Sequence, residues 1–217
     1  MSRQMIEILT NGIVETLYMT IVSTIFAYLF GIPLGVILCI TDKKGICHNK
    51  IINLLVGMTV NIIRSIPFLI LLVAILPLTR LLVGTTIGST ATIVPLVIAA
   101  TPFVARMVES SLKEVDMGVI EAAKAMGSSS FQIIWKVLLP EAKPSLLVGC
   151  TISLATILSY SAMAGFVGGG GLGAIAINYG YYRYQADIMW ITVILLVGIV
   201  QLFQEIGLRF VRKVDKR

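Results

Sequence analysis

Charge is what this sequence has least of. Only 13% of its 217 residues are Asp, Glu, Lys or Arg, against roughly 25% in an ordinary soluble domain. Apolar residues make up 57%, and mean hydropathy is +0.96. This argues against a soluble globule and for an integral membrane protein. Cysteine is scarce as well. Cys39, Cys47 and Cys150 form an odd, scattered set, which suits neither a disulfide framework nor a zinc site. The single histidine, His48, lies in a Lys-bearing stretch without the partners a metal needs. No G-x-x-x-x-G-K-[ST] phosphate loop occurs. Glycines 168–173 fall in Gly-x-Gly-x-x-Gly register, but no strand precedes them, so dinucleotide binding is not supported. A tight, close-packed turn is expected there instead.

Long apolar runs are what the sequence does have. A bilayer-spanning helix needs about 20 mostly apolar residues. Five runs qualify, roughly Ile13–Ile40, Ile51–Leu78, Ala91–Met107, Leu146–Val167 and Ile188–Phe210. The third is the shortest and carries Pro95 and Pro102, each of which bends a helix and frees a carbonyl. The expected class is an all-α integral membrane protein, one transmembrane domain over residues 1–217. A cleavable signal peptide is not expected. Arg3, Gln4, Glu7 and Asn11 occupy the first twelve residues, and the apolar run behind them is too long.

Basic residues orient the spans. Thirteen of the seventeen Lys and Arg fall in residues 41–50, 106–145 and the C-terminal stretch, and three (Arg3, Arg80, Arg183) in the opposite connections. The N-terminus is therefore expected outside and the C-terminus in the cytoplasm. Attraction to the anionic cytoplasmic leaflet accounts for the net charge of +6, without any nucleic-acid partner. The basic end RFVRKVDKR reads as a lipid anchor.

One polar stretch interrupts this pattern. Residues 108–145 form the longest cytoplasmic connection and read as a helical hairpin. Asp116 is a candidate N-cap, with Val119, Ile120, Ala122, Ala123 and Met126 as an apolar face. Gly127 suits the left-handed residue that ends a helix. Ser128 or Ser129 can cap a second helix whose stripe is Phe131, Ile134, Val137 and Leu138. Pro140 is expected to stop that helix. Ala122, Ala123 and Ala125 would let another surface approach closely, with Glu121 and Lys124 fixing its orientation. An amphipathic linker lying on the bilayer fits the same residues.

The string itself carries more. Glu121-Ala122-Ala123, then Gly127, then Leu139-Pro140, resembles the "EAA…G…I.LP" loop of ABC importer permeases, with Val137 standing in the isoleucine slot. IRSIPFLILL (63–72), ATPFVARMVESSLKEV (100–115) and YSAMAGFVGGGGLGAIAINYGYYRY (160–184) are similar to segments of the amino-acid branch, the last two to methionine importers. The resemblance covers nearly the whole chain. It implies a type I importer permease bundle of five spans, a homodimer in the bacterial cytoplasmic membrane. A dimeric ATPase, holding ATP and Mg, would dock on the loop, and an extracytoplasmic methionine-binding lipoprotein would deliver substrate. The permease itself would bind no cofactor and perform no chemistry. The glycine turn could also shape the surface on which the binding protein docks.

Another amino-acid importer shares the same fold and loop. An ATPase-independent secondary transporter is less well supported, since no internal repeat is evident and the inner spans offer no ion-coupling carboxylate. Glu109, Glu114, Asp116, Glu121 and Glu141 cluster in the loop region without a His or metal-ligand spacing and read as caps and docking charges.

For the pathway, Arg64 stands out. A guanidinium inside a span costs at least about 2.5 kcal/mol. It could line the route and attract a substrate carboxylate, pair with Glu109 or helix carbonyls, or snorkel. Ser159, Tyr160 and Ser161 make a polar patch in the fourth span, lining the route or bonding across packed helices. Met163 is a flexible gate or a filler.

Overall fold

The computed structural model describes residues 3–214, so Lys216 and Arg217 of the basic end lie outside the described residues. The described residues form helices joined by short turns, with no strand among them. Helix α1 covers Arg3–Thr41, α2 Lys50–Ser65, α3 Phe68–Ala74, α4 Leu76–Val83 and α5 Ser89–Lys113. The hairpin is α6, Met117–Ala125, and α7, Ser130–Ile133. A π turn (Ile134–Leu138) and the short α8 (Leu139–Glu141) lead into α9, Lys143–Ala164. A 3₁₀ turn (Gly165–Val167), α10 (Gly171–Ile175), a second π turn (Ala176–Tyr181) and α11 (Ala186–Val214) complete it.

Among the described residues, four helices are long and apolar enough to cross a membrane, or five if the bent pair α2–α3 is one span. The five expected crossings are met on that count, with three differences. The first helix begins at Arg3 rather than near Ile13. Its polar first turns, with Arg3 and Glu7 3.9 Å apart at i, i+4, continue the helix beyond its apolar part. The second crossing is broken, α2 and α3 meeting at 102°. Ile66 is extended there (φ −82°, ψ 124°) because Pro67 disfavours the helical region for its predecessor and brings no N–H of its own. The third is longer than Ala91–Met107 and keeps Pro95 and Pro102 inside one continuous helix.

The packing follows membrane rules. Lipid tails are as apolar as leucine, so helices associate through close contact of small residues. Helices α1 and α5 form the most extensive pair, along Ala27, Gly31 and Gly35 of α1. A Cβ at Gly31 would fall 2.6 Å from Val104 Cγ1, and one at Gly35 2.6 Å from the Ala105 carbonyl oxygen. The core continues without a gap from this seam (Ala100, Val104, Val108, Leu112) into the hairpin.

Candidate functional site

The hairpin forms as its residues dictate. Asp116 caps α6, its carboxylate accepting the Gly118 N–H at 2.6 Å. Gly127 sits at φ +80°. Its N–H donates to the Lys124 carbonyl (2.9 Å) and that of Ser128 to the Ala123 carbonyl (3.1 Å), the paired bonds of a helix ending on a left-handed glycine. Ser129 is the second cap. Its hydroxyl accepts the Gln132 N–H (3.4 Å) while Gln132 accepts the Ser129 N–H (2.8 Å), a reciprocal capping box.

The faces differ in part from the expected ones. Ile120, Ala123, Ile133 and Leu138 are buried and root the hairpin in the bundle core. Of the expected α6 face, Val119, Ala122 and Met126 point out. Phe131 is also exposed; Ile133 takes its place. Phe131 and Trp135 lie with ring centroids 6.2 Å apart, and with Met126, 80% exposed, they form an apolar surface. Glu121 is exposed beside it. Pro140 does not stop the helix. The π turn just before it widens the coil where a proline ring would otherwise crowd the carbonyl four residues back. The path from Ser130 to Ala164 stays helical apart from Ala142. Val137 and Leu139 are half-buried against the core, and Pro140 is exposed.

Beneath the hairpin, a cavity of about 320 Å³ lies among Ile40, Asp42, Leu112, Lys113, Ile120 and Leu138. Asp42 and Lys113 on its wall belong to a charge cluster that the sequence reading missed and that extends beyond the cavity along α5. Arg106, counted there only as an orienting charge, lies inside α5. Its Nη1 donates to Glu109 Oε2 at 2.6 Å, and its Nη2 donates to Asn61 Oδ1 (2.9 Å) and the Gly57 carbonyl (3.3 Å). Lys113 donates to Glu109 Oε1 at 2.7 Å and stands 2.7 Å from Asp42 Oδ2. Glu109 is thus a buried, doubly paired carboxylate rather than a docking charge. The Lys113 ammonium, followed by the Lys43 N–H, holds the Asp42 carboxyl below the usual carboxylate range. The i, i+3 and i, i+4 spacing of Arg106, Glu109 and Lys113 was the available signal.

Arg64 has a different environment from any expected pair. Glu109 is occupied by Arg106 and Lys113, so it is no partner for Arg64. Arg64 is exposed in the last turn of α2, beside the break. Among the described residues its guanidinium makes no hydrogen bond or ion pair. Tyr160 meets the same broken crossing from α9, stacked on Phe68 of α3 with centroids 4.5 Å apart and planes at 5°. Ser159 and Ser161 do not bond across helices. Their hydroxyls donate to the Ala155 carbonyl (3.0 Å) and the Leu158 carbonyl (2.7 Å) of their own helix. Met163 is 43% exposed.

At the end opposite the hairpin, the glycine run folds back into the bundle. Gly88 N–H donates to the Gly168 carbonyl at 2.9 Å. Glu15 of α1 accepts the Gly171 N–H at 2.6 Å, and the Thr16 hydroxyl accepts the Leu172 N–H at 2.8 Å. Glu15 is a carboxylate near the start of the first apolar run, and it caps the start of α10. A Cβ at Gly169 would lie 2.8 Å from the Ala164 carbonyl, and one at Gly170 would collide with Glu15. These glycines serve internal packing.

Fold and site together define an integral membrane bundle with a helical hairpin rooted in its core and an apolar patch left open at the hairpin tip. Comparison with known proteins agrees. The model of a family described as "Binding-protein-dependent transport system inner membrane component" matches residues 31–217. A Vibrio cholerae protein, "Probable D-methionine transport system permease protein MetI", is 54% identical over 211 residues, 97% of this chain and 94% of its own. The "D-methionine transport system permease protein MetI" of Escherichia coli K12 is 51% identical over 165 residues, 76% of each. A solved structure of "Inward facing conformations of the MetNI methionine ABC transporter" superposes with a TM-score of 0.98 at 50% identity over all of both chains. An amino acid ABC transporter at 21% identity shares the fold, with a TM-score of 0.79. The chain belongs to the family of inner membrane components of binding-protein-dependent transport systems, and its bundle is the type I ABC importer permease fold.

Proposed function

We infer that this chain is the membrane-spanning permease of an ATP-driven methionine importer. The observation that carries the reading is likeness over the whole length to methionine permeases, joined to a core-rooted hairpin with an open apolar tip. Loop residues Glu121, Ala122, Ala123, Gly127, Val137, Leu139 and Pro140 belong to the hairpin that an ATPase engages. Met126, Phe131 and Trp135 supply contact area, since aromatic anchors dominate interface energetics. ATP and Mg bind that ATPase. Two permeases pair, a methionine-binding lipoprotein docks outside, and lipid surrounds the bundle. The loop at about 108–145 lies in the cytoplasm with the C-terminus, and the N-terminus lies outside. A reporter active only in the cytoplasm, fused after Arg217, is expected to be active; activity of an externally active reporter there would invert the topology.

The pathway runs past the broken second crossing. A helix broken inside its span leaves peptide groups that only protein or a water-lined cavity can satisfy. Arg64 stands there ready for a substrate carboxylate, with Tyr160, Ser159, Ser161 and Met163 along α9.

The deciding experiment is uptake of labelled methionine into vesicles holding the permease, its ATPase and its binding lipoprotein. ATP-dependent uptake is expected, with loss on Gly127→Val while the complex still assembles. A β-branched residue at φ +80° costs at least about 1 kcal/mol and re-aims α7. Uptake of a different amino acid alone would keep the permease and remove methionine; uptake without the ATPase would remove both. In the same assay Arg64→Lys should lower uptake, because an ammonium lacks the planar fork for a carboxylate. Normal uptake by that variant would remove Arg64 from the route.

A further inference from the structure

We propose that Arg106 is a positioning residue for transport: it latches the half-span α2 onto α5, and Glu109, Lys113 and Asp42 connect that latch to the loop that touches the hairpin. The proposal rests on the transport reading above.

Helix α2 is held weakly by apolar packing. Only Gly57 and Val60 are buried along its sixteen residues. Its polar positions Asn53, Gly57 and Asn61 recur at i, i+4 and i+8, one face of a helix. Asn53 Nδ2 donates to the Leu38 carbonyl (2.8 Å) and the Thr41 hydroxyl (3.1 Å) at the cytoplasmic end. One and two turns further in, Arg106 holds Gly57 and Asn61. Beyond Asn61 the helix runs free to Arg64 and the 102° break. Arg106 is thus the innermost polar hold on α2 before the break.

The other side of Arg106 leads to the hairpin. Glu109 lies between Arg106 and Lys113, and Lys113 reaches Asp42. Asp42 begins the α1–α2 connection, whose Cys47 thiol donates to the Ser130 hydroxyl of α7 at 3.2 Å. A line of polar contacts therefore runs from Asp42 to the middle of α2, and the five-residue step of chain from Asp42 to Cys47 joins it to the first residue of α7. A buried carboxylate between two cations contributes little net stability over an apolar packing of the same volume, yet breaking one partner leaves an uncompensated charge. It suits fixing position. A displacement of the hairpin moves the connection and α5, and α2 follows through Arg106.

The test is pulsed electron paramagnetic resonance on the assembled complex, with spin labels at exposed Leu55 of α2 and Ser110 of α5, together with uptake per ATP hydrolysed. Wild type, Asn61→Leu, Asn61→Asp and Arg106→Met are compared. Asn61→Leu removes the acceptor at similar volume, whereas Asn61→Asp offers the guanidinium a charged one. Asn61→Leu and Arg106→Met should lengthen and broaden the label distance. They should also lower uptake per ATP roughly tenfold, the scale of one lost hydrogen bond to a charged group. Asn61→Asp should keep both at wild-type values. Unchanged distances in Asn61→Leu overturn the latch. Altered distances with unchanged uptake per ATP overturn its role in transport. If wild type imports no methionine, the substrate reading falls, while the distances still decide the latch.

Discussion

Gly173→Ala abolishes methionine uptake and depletes folded permease from the membrane: that is the expected result, and Gly198→Ala is its control. At Gly173 a Cβ would collide with the carbonyl and Cα of Ala162. Both are backbone atoms of α9, so no rotamer change can relieve the overlap. Gly165 answers Gly173 across the same contact, its own Cβ position falling on the Gly173 backbone. Overpacking in a well-filled core costs about 1–3 kcal/mol when side chains can yield; here backbone must move, which places the cost at or above that range. The displaced segment also carries the N–H groups that Glu15 and Thr16 hold. Gly198 has nothing within 4 Å of its Cβ position and lies inside α11. Alanine there should stabilise the helix by about 0.5–1 kcal/mol. Thermal unfolding of the purified complex, read beside uptake, checks both. Equal behaviour of the two variants would mean that the fold-back segment is loosely packed.

The second large effect is expected at the hairpin tip. Phe131→Ala with Trp135→Ala should prevent stable association with the ATPase while the permease remains folded. The two rings are 68% and 59% exposed, so their truncation removes little from the bundle itself. A buried aromatic at the centre of an interface is commonly worth about 2 kcal/mol or more, and two of them together exceed a hundredfold in affinity. Co-purification with the tagged ATPase, followed by titration of the ATPase onto permease in detergent, measures it. Unaltered affinity would leave the alanine face of α6 as the docking surface. Ile133→Ala, two residues from each ring yet 1% exposed, should instead destabilise the hairpin, by about 2–5 kcal/mol.

Much of the hairpin was legible because its signals are local. Asp116, Gly127 and the Ser129–Gln132 pair each act within three residues of themselves, and the structure uses them as the sequence suggests. Pro140 misled because a proline ends a helix only where the coil keeps its ordinary pitch; the π turn removes that condition. Phe131 was placed inside by periodicity, but the same π turn alters which residues share a face. The broken second crossing hid in a hydropathy average that ignores Ser65-Ile66-Pro67. Arg106 and Glu15 were missed for a common reason. Their partners lie 45 to 49 and 156 residues away, and no local pattern announces such a contact. The substrate was not legible from the pathway side chains at all; it comes from whole-chain likeness.

The seam of Ala27, Gly31 and Gly35 against α5 has a consequence for how many ways this molecule can move. Backbones in such close register cannot slide or roll past one another without steric overlap, so α1 and α5 count mechanically as one rigid body. The same holds for α9 and the fold-back segment joined at Gly165 and Gly173. What is left to vary is a small set of joints: the Ile66–Pro67 break, the residue Ala142 between hairpin and span, and the short connections at the membrane surfaces. A cycle of alternating access built on so few internal coordinates is close to a one-dimensional path, along which a push at the hairpin end has few other motions into which it could be lost.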